Sequence, residues 1–464
     1  MLLPMSPVDS LFLLGESRGN PMHVGCLQLF EPPDGADAMD VRSLFDRTLA
    51  DTEVSPKLRE RARRSWSTLG QWGWEEDENF DLGHHIRHDA LARPGGMAEL
   101  FALCSRLHGT LLDRHRPLWE VHLIEGLADG RYGVYTKLHH AVADGVSGMK
   151  MLHGALSKDP GDRNMPPPWV KAGRPTHLRV VRRDETPSPS SAARVLAAAG
   201  SVVRDTASIV PALASATEKA LRAQSGHLAF TAPKTMFNVP IAAAREFAAR
   251  SWAIERLERI ADVVDYTVND VVLAMCAGAL RTYMQSLAAL PDRALIAMVP
   301  VSLRNEARES RTGNDVGLLM CNLATDLADP ARRLAAIRSS MLEGKSALRA
   351  MNTAQVLALS AISAAPQALT MLLGRSMGMP PPFNVVISNV AGPRTPRYWN
   401  GARLDALYPL SIPVDGQALN ITCTSRAGDI SFGLTGCRRT VPRLLPMLDY
   451  LDDELRALEE AVGT

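Results

Sequence analysis

Apolar and polar positions along this chain switch between two periods. From Met22 the run MHVGCLQLFEPP is mostly apolar and stops at Pro32-Pro33, which predicts a strand with a proline end. DVRSLFDRTLADT and GGMAELFALCSRLHGTLLD follow with helical spacing, the second placing Leu100, Leu103 and Leu107 on one face. LWEVHLIEGL reads as a strand, and GRYGVYTKLHH pairs with it through the turn signal Asp129-Gly130. SGMKMLHGAL, with Met149, Leu152 and Leu156, predicts the next helix.

The pattern breaks after Leu156. SKDPGDRNMPPPWVKAGRP and RRDETPSPSSAA are rich in proline and charge, as linkers and exposed loops are. An alanine-rich stretch from Ala192 to Ala223 favours a connecting helix, and its few large apolar residues argue against an embedded one. Near Phe237 the alternation resumes. SWAIERLERIADVVDYTVNDVVLAMCAGALRTYM predicts a strand end, a helix, a turn at Thr267–Asn269 and a long helix opening at Asn269 or Asp270. RALIAMVPVSLR and FNVVISNVAGP read as strands, and ALNITCTSRAGDISFGLTGC as a hairpin turning at Ala427-Gly428. The fold class expected is therefore α/β (α+β): two halves, 1–157 and 237–464, joined by a linker over 158–236.

Composition narrows the function. Among 464 residues, 51 Lys and Arg stand against 50 Asp and Glu, so net charge gives no reason to expect nucleic acid as a partner. Six cysteines, at 26, 104, 276, 321, 423 and 437, form no CxxC pair, and scattered thiols suit a reducing compartment. The first residues lack a basic start, and Asp9 interrupts them, unlike a signal peptide. Between Arg349 and Arg375 no residue is charged, but Asn352, Gln355, Pro366 and Gln367 interrupt the run. Two packed or membrane-touching helices broken near Pro366 are expected there, rather than a span.

The chemistry concentrates in TKLHHAVADGVSGMKML. In an extended strand, His140 shares a face with Val134, Thr136 and Leu138, and His139 shares the other with Tyr135 and Lys137. The two imidazoles then point apart. His140, on the more apolar face, suits a neutral general base. A hydrogen-bonded core histidine is the competing reading. A metal site is a third, though no HxH or HExxH set accompanies the pair. Gly145 permits a tight turn, and Asp144 can cap the next helix or form an ion pair. A second pair, His84-His85, lacks the following Asp-Gly, so pairing alone is not the signal.

HHxxxDG resembles the motif of the CoA-dependent acyltransferase superfamily. SPVDSLFLLGE, PMHVGCLQLF, RPLWEVHLIEGL, KLHHAVADGVSG, TVNDVVLA, VPVSLR, GND, NVVISNVAGP and GQALNIT, in order, are similar to the bacterial wax ester synthase/diacylglycerol acyltransferase family. The resemblance runs from Ser6 to about Leu458. It implies two chloramphenicol-acetyltransferase-like lobes with an active-site channel between them. It also implies His140 as the base that takes the hydroxyl proton of an alcohol attacking an acyl-CoA thioester. No acyl-enzyme forms in such a reaction, so no GxSxG elbow is needed.

By the same resemblance His139 supports the motif and Asp144 is structural, with Arg304 one candidate partner. Pro117-Leu118-Trp119 belongs to an acyl-binding region. Asn269-Asp270 lies near the site, besides being a plausible helix cap. Ser388-Asn389 is a candidate oxyanion donor. The implied co-substrate is long-chain acyl-CoA, with no bound cofactor and no metal. The implied acceptor is diacylglycerol or a fatty alcohol. The implied location is the cytoplasmic face of a membrane or a lipid droplet, by peripheral contact. An Ala- and Arg-rich, actinobacterial-looking chain of this kind favours triacylglycerol over wax ester. A catalytically silent lipid-binding protein on the same fold, or an acyltransferase for a small hydroxylated metabolite, are the alternatives.

Overall fold

The computed structural model describes residues 3–33, 38–50, 53–64, 70–143, 145–170, 232–302, 316–349 and 381–464. The first half contains β1 (Leu3–Pro4), α1 (Pro7–Gly15), β2 (His23–Glu31), α2 (Ala38–Ala50), β3 (Glu60–Arg64), β4 (Trp72–Glu76) and α3 (Leu82–His85). It continues with β5 (Ile86–Ala90), α4 (Met97–His108), β6 (Trp119–Glu125), β7 (Tyr132–His139) and α5 (Gly145–Gly154). The second half opens with β8 (Arg245–Ala253), α6 (Ile254–Val264), α7 (Val268–Ser286), β9 (Ile296–Ser302), β10 (Val316–Asn322) and α8 (Pro330–Arg349). It closes with β11 (Val385–Val390), β12 (Tyr398–Trp399), β13 (Ala402–Leu410), β14 (Leu419–Arg426), β15 (Asp429–Cys437) and α9 (Leu445–Val462).

Among the described residues, two six-stranded mixed sheets carry the fold. One has the order β12-β13-β2-β7-β6-β5 and the other β10-β9-β11-β14-β15-β8. A small sheet, β1-β4-β3, stands apart from both. In the first sheet β7 is central and every one of its residues is buried, which is why YGVYTKLH tolerates so little polarity without partners. Both lobes mix parallel and antiparallel pairs: β5 runs parallel to β6, and β11 parallel to β9 and β14. In the second lobe α7 is buried almost all round, from Asp270 to Leu280, and is the spine of the larger core.

The division expected at 237 needs one amendment. β13, from the second half of the chain, pairs with β2, so residues 398–410 complete the first sheet. The seam is further closed by α4 on β8. There Phe101 meets Phe247 edge-on at 5.4 Å, and the Ser105 hydroxyl accepts from the Phe247 N–H. Asn20 and Asp415 exchange two hydrogen bonds across the same seam.

Local signals explain most boundaries. Ser6 caps α1 by accepting from the Asp9 N–H, with Pro7 at the first helical position. The β14–β15 hairpin turns at Ala427-Gly428, both at positive φ. Helix α7 corrects its expected start. It opens at Val268, and Thr267 is the cap. Asp270 sits three residues in, where its carboxylate closes a capping box with Thr267.

Among the described residues no single helix is long and apolar enough to cross a membrane. The expectations for 350–374 and 192–223 fall outside the described residues.

Candidate active site

The two motif histidines sit where β7 ends, each held by the backbone of a neighbouring strand. The His139 N–H donates to Leu118 O at 3.0 Å, and the His140 N–H donates to Met22 O at 2.8 Å. Register explains both contacts: His23 lies opposite His139 on β2, and Trp119 lies opposite Leu138 on β6. The chain then turns sharply, with Val142 N–H bonding to His139 O and Ala141 N–H bonding to His139 Nδ1. Nδ1 is thereby the acceptor, and Nε2 carries the hydrogen. That Nε2 faces the Glu16 carboxylate at 3.2 Å.

The imidazoles part as strand alternation requires, but their burial is the reverse of the expected order. His139 is wholly buried, on the side that Tyr135 and Lys137 share. His140 is half-buried, and its ring stacks on Phe12 of α1, centroids 4.0 Å apart and planes inclined by 23°. Desolvation therefore does not single out His140. Its position just past the strand end, half-buried against Phe12, does.

Charge lies behind the pair. Glu16 takes Arg114 Nε at 2.8 Å as well as His139. Burial raises the Glu16 pKa, but His139 and Arg114 outweigh it and hold the carboxyl below its ordinary range. Lys137 is buried with Glu120 at 2.9 Å and donates to the carbonyls of Leu107 and Thr110 at the end of α4. Burial pushes the Glu120 pKa up, and contacts with His122 and Lys137 bring it down to about 2. His108 accepts from the Tyr135 hydroxyl and donates to Ser411 O across the seam, and burial lowers its pKa to about 3. These groups stiffen the sheet under the motif and pin it to the second lobe.

The remaining sequence candidates divide. Pro117, Leu118 and Trp119 do lie beside the motif, but Leu118 and Trp119 are core residues. The Trp119 indole stacks on His85 at 4.5 Å and donates to Leu58 O at 2.7 Å. It is packed in the core beside the motif. Asp270 is buried and pairs with Arg338 at 3.0 Å, besides capping α7, while Asn269 is half-buried beside it. Both lie in the first turn of α7 in the second lobe.

Ser388 and Asn389 lie on β11 opposite Thr422 and Cys423. Ser388 is half-buried and shares a face with Val390, which packs near Cys26, Met149 and Leu152 of the first lobe; Asn389 is exposed. Gly392, just beyond, must be glycine: a Cβ there would lie 1.9 Å from Ser425 O. Gly145 corrects its expected role. It is the first residue of α5 with no positive φ, and a Cβ would meet nothing within 4 Å. Asp144 and Arg304 fall outside the described residues.

Helix α5 separates two apolar spaces. One, between the lobes, is lined by Cys26, Thr136, Leu138, Gly145, Met149 and Val390. The other is a cavity of about 690 Å³ lined by Leu58, Leu138, Val142, Met151, Leu156 and Val170, a size usual for small-molecule sites. Among the described residues no group of His, Cys, Asp and Glu can hold a metal, and the six cysteines are buried and unpaired. The arrangement offers a half-buried imidazole just past the end of β7, on the strand face whose Thr136 and Leu138 line the space between the lobes. That is suited to moving a proton to or from a hydroxyl beside a long apolar substrate.

Sequence reasoning gave no role to Phe12, Glu16 or Arg114. The first two lie inside SPVDSLFLLGE, but nothing in its spacing marks a carboxylate that pairs with a histidine over 120 residues away.

Residues 5–272 match the wax ester synthase/diacylglycerol acyltransferase catalytic domain, and residues 312–459 match the C-terminal domain of the same proteins. A Mycobacterium tuberculosis protein named as a diacylglycerol O-acyltransferase is 47% identical over 459 residues, covering 99% of each chain. A Mycobacterium bovis protein named likewise is 48% identical over 465 residues, covering 99% of this chain and 91% of that one. Among solved structures, the wax ester synthase/diacylglycerol acyltransferase of Marinobacter aquaeolei VT8 is 39% identical with a TM-score of 0.78, covering 99% of this chain and 100% of that one. The first condensation domain of the calcium-dependent antibiotic synthetase, in complex with a substrate analogue, shares the fold: TM-score 0.58 at 17% identity, covering 100% and 96%.

Proposed function

We propose, from the premise that this chain belongs to the wax ester synthase/diacylglycerol acyltransferase family, that it transfers a long acyl chain from acyl-CoA to diacylglycerol, yielding triacylglycerol and free CoA. The observation that carries the reading is the His139-His140 turn: one histidine locked in the core, the next half-buried beyond the strand end, on the strand face whose Thr136 and Leu138 line apolar space between the lobes. In this reading His140 takes the proton of the acceptor hydroxyl as its oxygen attacks the thioester carbonyl. The tetrahedral intermediate collapses with loss of the CoA thiolate, which regains the proton from the imidazolium. Ser388, on the face of β11 that meets the first lobe, is the candidate donor to the oxyanion. Apolar surroundings limit the competing hydrolysis by keeping water from the thioester.

Fatty alcohols are secondary acceptors. An imidazole needs only a hydroxyl within about 2.6–3.2 Å, and an apolar pocket separates acceptors by only ~1–3 kcal/mol per methylene-sized difference. Water-insoluble acceptor and product place the enzyme at the surface of a membrane or lipid droplet, on its cytoplasmic side, by peripheral contact. Palmitoyl-CoA offered with equal dioleoylglycerol and hexadecanol tests the reading through CoA release and product identification. Triacylglycerol as the main product supports it. Predominant wax ester reverses the ranking. Acylation of only a short polar alcohol removes the protein from neutral-lipid synthesis, and no CoA release with any acceptor would fit a silent lipid-binding protein.

A further inference from the structure

The Glu16 carboxylate, buried with its side chain only 1% exposed, takes part in none of the steps above. It contacts His139 directly and is linked to His140 through the Met22 backbone. One oxygen lies 3.2 Å from His139 Nε2, and the same oxygen accepts from the Met22 N–H at 3.3 Å. Met22 O, on the far side of that residue, accepts the His140 N–H at 2.8 Å. The other oxygen takes Arg114 Nε at 2.8 Å, and Arg114 also donates to the Leu13 carbonyl within α1. Phe12, on the same helix, lies flat against the His140 ring. A carboxylate removed from water is costly unless its partners are well placed. Here those partners are His139, the N–H of Met22, whose carbonyl holds His140, and Arg114, which also bonds the helix whose aromatic ring packs on His140.

We propose that Glu16 is a positioning residue for acyl transfer. Through His139, Met22 and Arg114 it seats α1 against the motif, and Phe12 then fixes the plane of the His140 imidazole. The inference rests on His140 being the base. It assigns to the SPVDSLFLLGE stretch a part in orienting that base, and it puts the first histidine of the pair in service to the second. An imidazole that loses this packing spends less time with its nitrogen aimed at the acceptor hydroxyl. The loss then falls on turnover and not on substrate binding.

The test uses the full chain with Glu16→Gln, Phe12→Leu and Phe12→Tyr, measuring kcat, KM for palmitoyl-CoA and the melting temperature. Carbethoxylation of His140 by diethyl pyrocarbonate, followed by mass spectrometry, needs no acyl acceptor. It therefore still reads ring packing if the diacylglycerol reading fails. Glu16→Gln should lower kcat about 10–100-fold, part of the ~10²–10⁴ a general base supplies, with KM within about twofold. Phe12→Leu should lower kcat and speed His140 carbethoxylation, and Phe12→Tyr, which keeps the ring, should recover both relative to Leu. Wild-type kcat in Glu16→Gln or Phe12→Leu, or a loss confined to KM, overturns the proposal. Should Glu16→Gln fail to fold, Phe12→Leu decides alone: unchanged kcat and unchanged carbethoxylation overturn it.

Discussion

The backbone N–H of His139 donates to the carbonyl of Leu118, 3.0 Å away, so the PLW and HHxxxDG motifs are two sides of one strand pairing. Trp119, next in line, is therefore a core residue. Trp119→Ala should destabilise the protein by ~3–5 kcal/mol, and Trp119→Phe by ~1 kcal/mol for the lost bond to Leu58 O. Urea unfolding checks both. Lost turnover in Trp119→Ala without lost stability would instead place the indole against substrate.

The histidine pair should separate into a chemical and a structural member. His140→Ala should fold normally and lose ~10²–10⁴ in turnover. His139→Ala strips a wholly buried partner from Glu16 and should cost ~1–3 kcal/mol of stability, with turnover falling as a consequence. Melting curves recorded beside initial rates distinguish the two.

Asp270 anchors the second lobe. Asp270→Asn weakens both the bonds its carboxylate accepts from Thr267 at the start of α7 and the contact with Arg338, and a loss of ~1–3 kcal/mol is expected. An unchanged unfolding midpoint with abolished activity would move Asp270 into the site itself.

The charge cluster under β7 sets an acid limit. The Glu120 carboxyl titrates at about 2 in the folded protein against an ordinary 4.5. Its contribution is present above pH 4.5 and disappears as pH falls towards 2. His122 has the opposite sign: burial lowers its pKa, but Asp89 and Glu120 raise it above 6.5 overall, so its share holds below 6.5 and fades as pH rises through the raised value. Glu120→Gln should flatten the fall in unfolding midpoint between pH 4.5 and 2. A variant with the wild-type acid slope would show that other carboxylates set it.

Much of this was legible in the sequence because it is local. Apolar runs bounded by Pro32-Pro33 and Asp129-Gly130 located β2, β6 and β7, and the Ala427-Gly428 signal located the β14–β15 turn. Alternation also separated His139 from His140, though it misjudged their burial. A strand face says which way a side chain points, and the N-terminal helix that covers it comes from elsewhere in the chain. Asp270 was read as a possible first cap residue because Asn and Asp favour that position. Thr267, three residues earlier, took it, and the aspartate served as the reciprocal partner. Gly145 looked like turn chemistry and proved to be an ordinary helix start beside open space. Glu16 and Arg114 meet His139 only through tertiary packing, which no local spacing records.

Pairing of β13 with β2 has a consequence for biosynthesis. A ribosome makes the catalytic strand early, but one flank of β2 stays bare until the chain has been translated through Leu410. The first lobe must wait, with Leu27 and Leu29 incompletely covered, while most of the second is made. The protein therefore matures as one unit, late and all at once. Ribosome-bound chains ending at residue 236 should be cut by protease within β2 and β7, where chains extended past the β14–β15 hairpin resist.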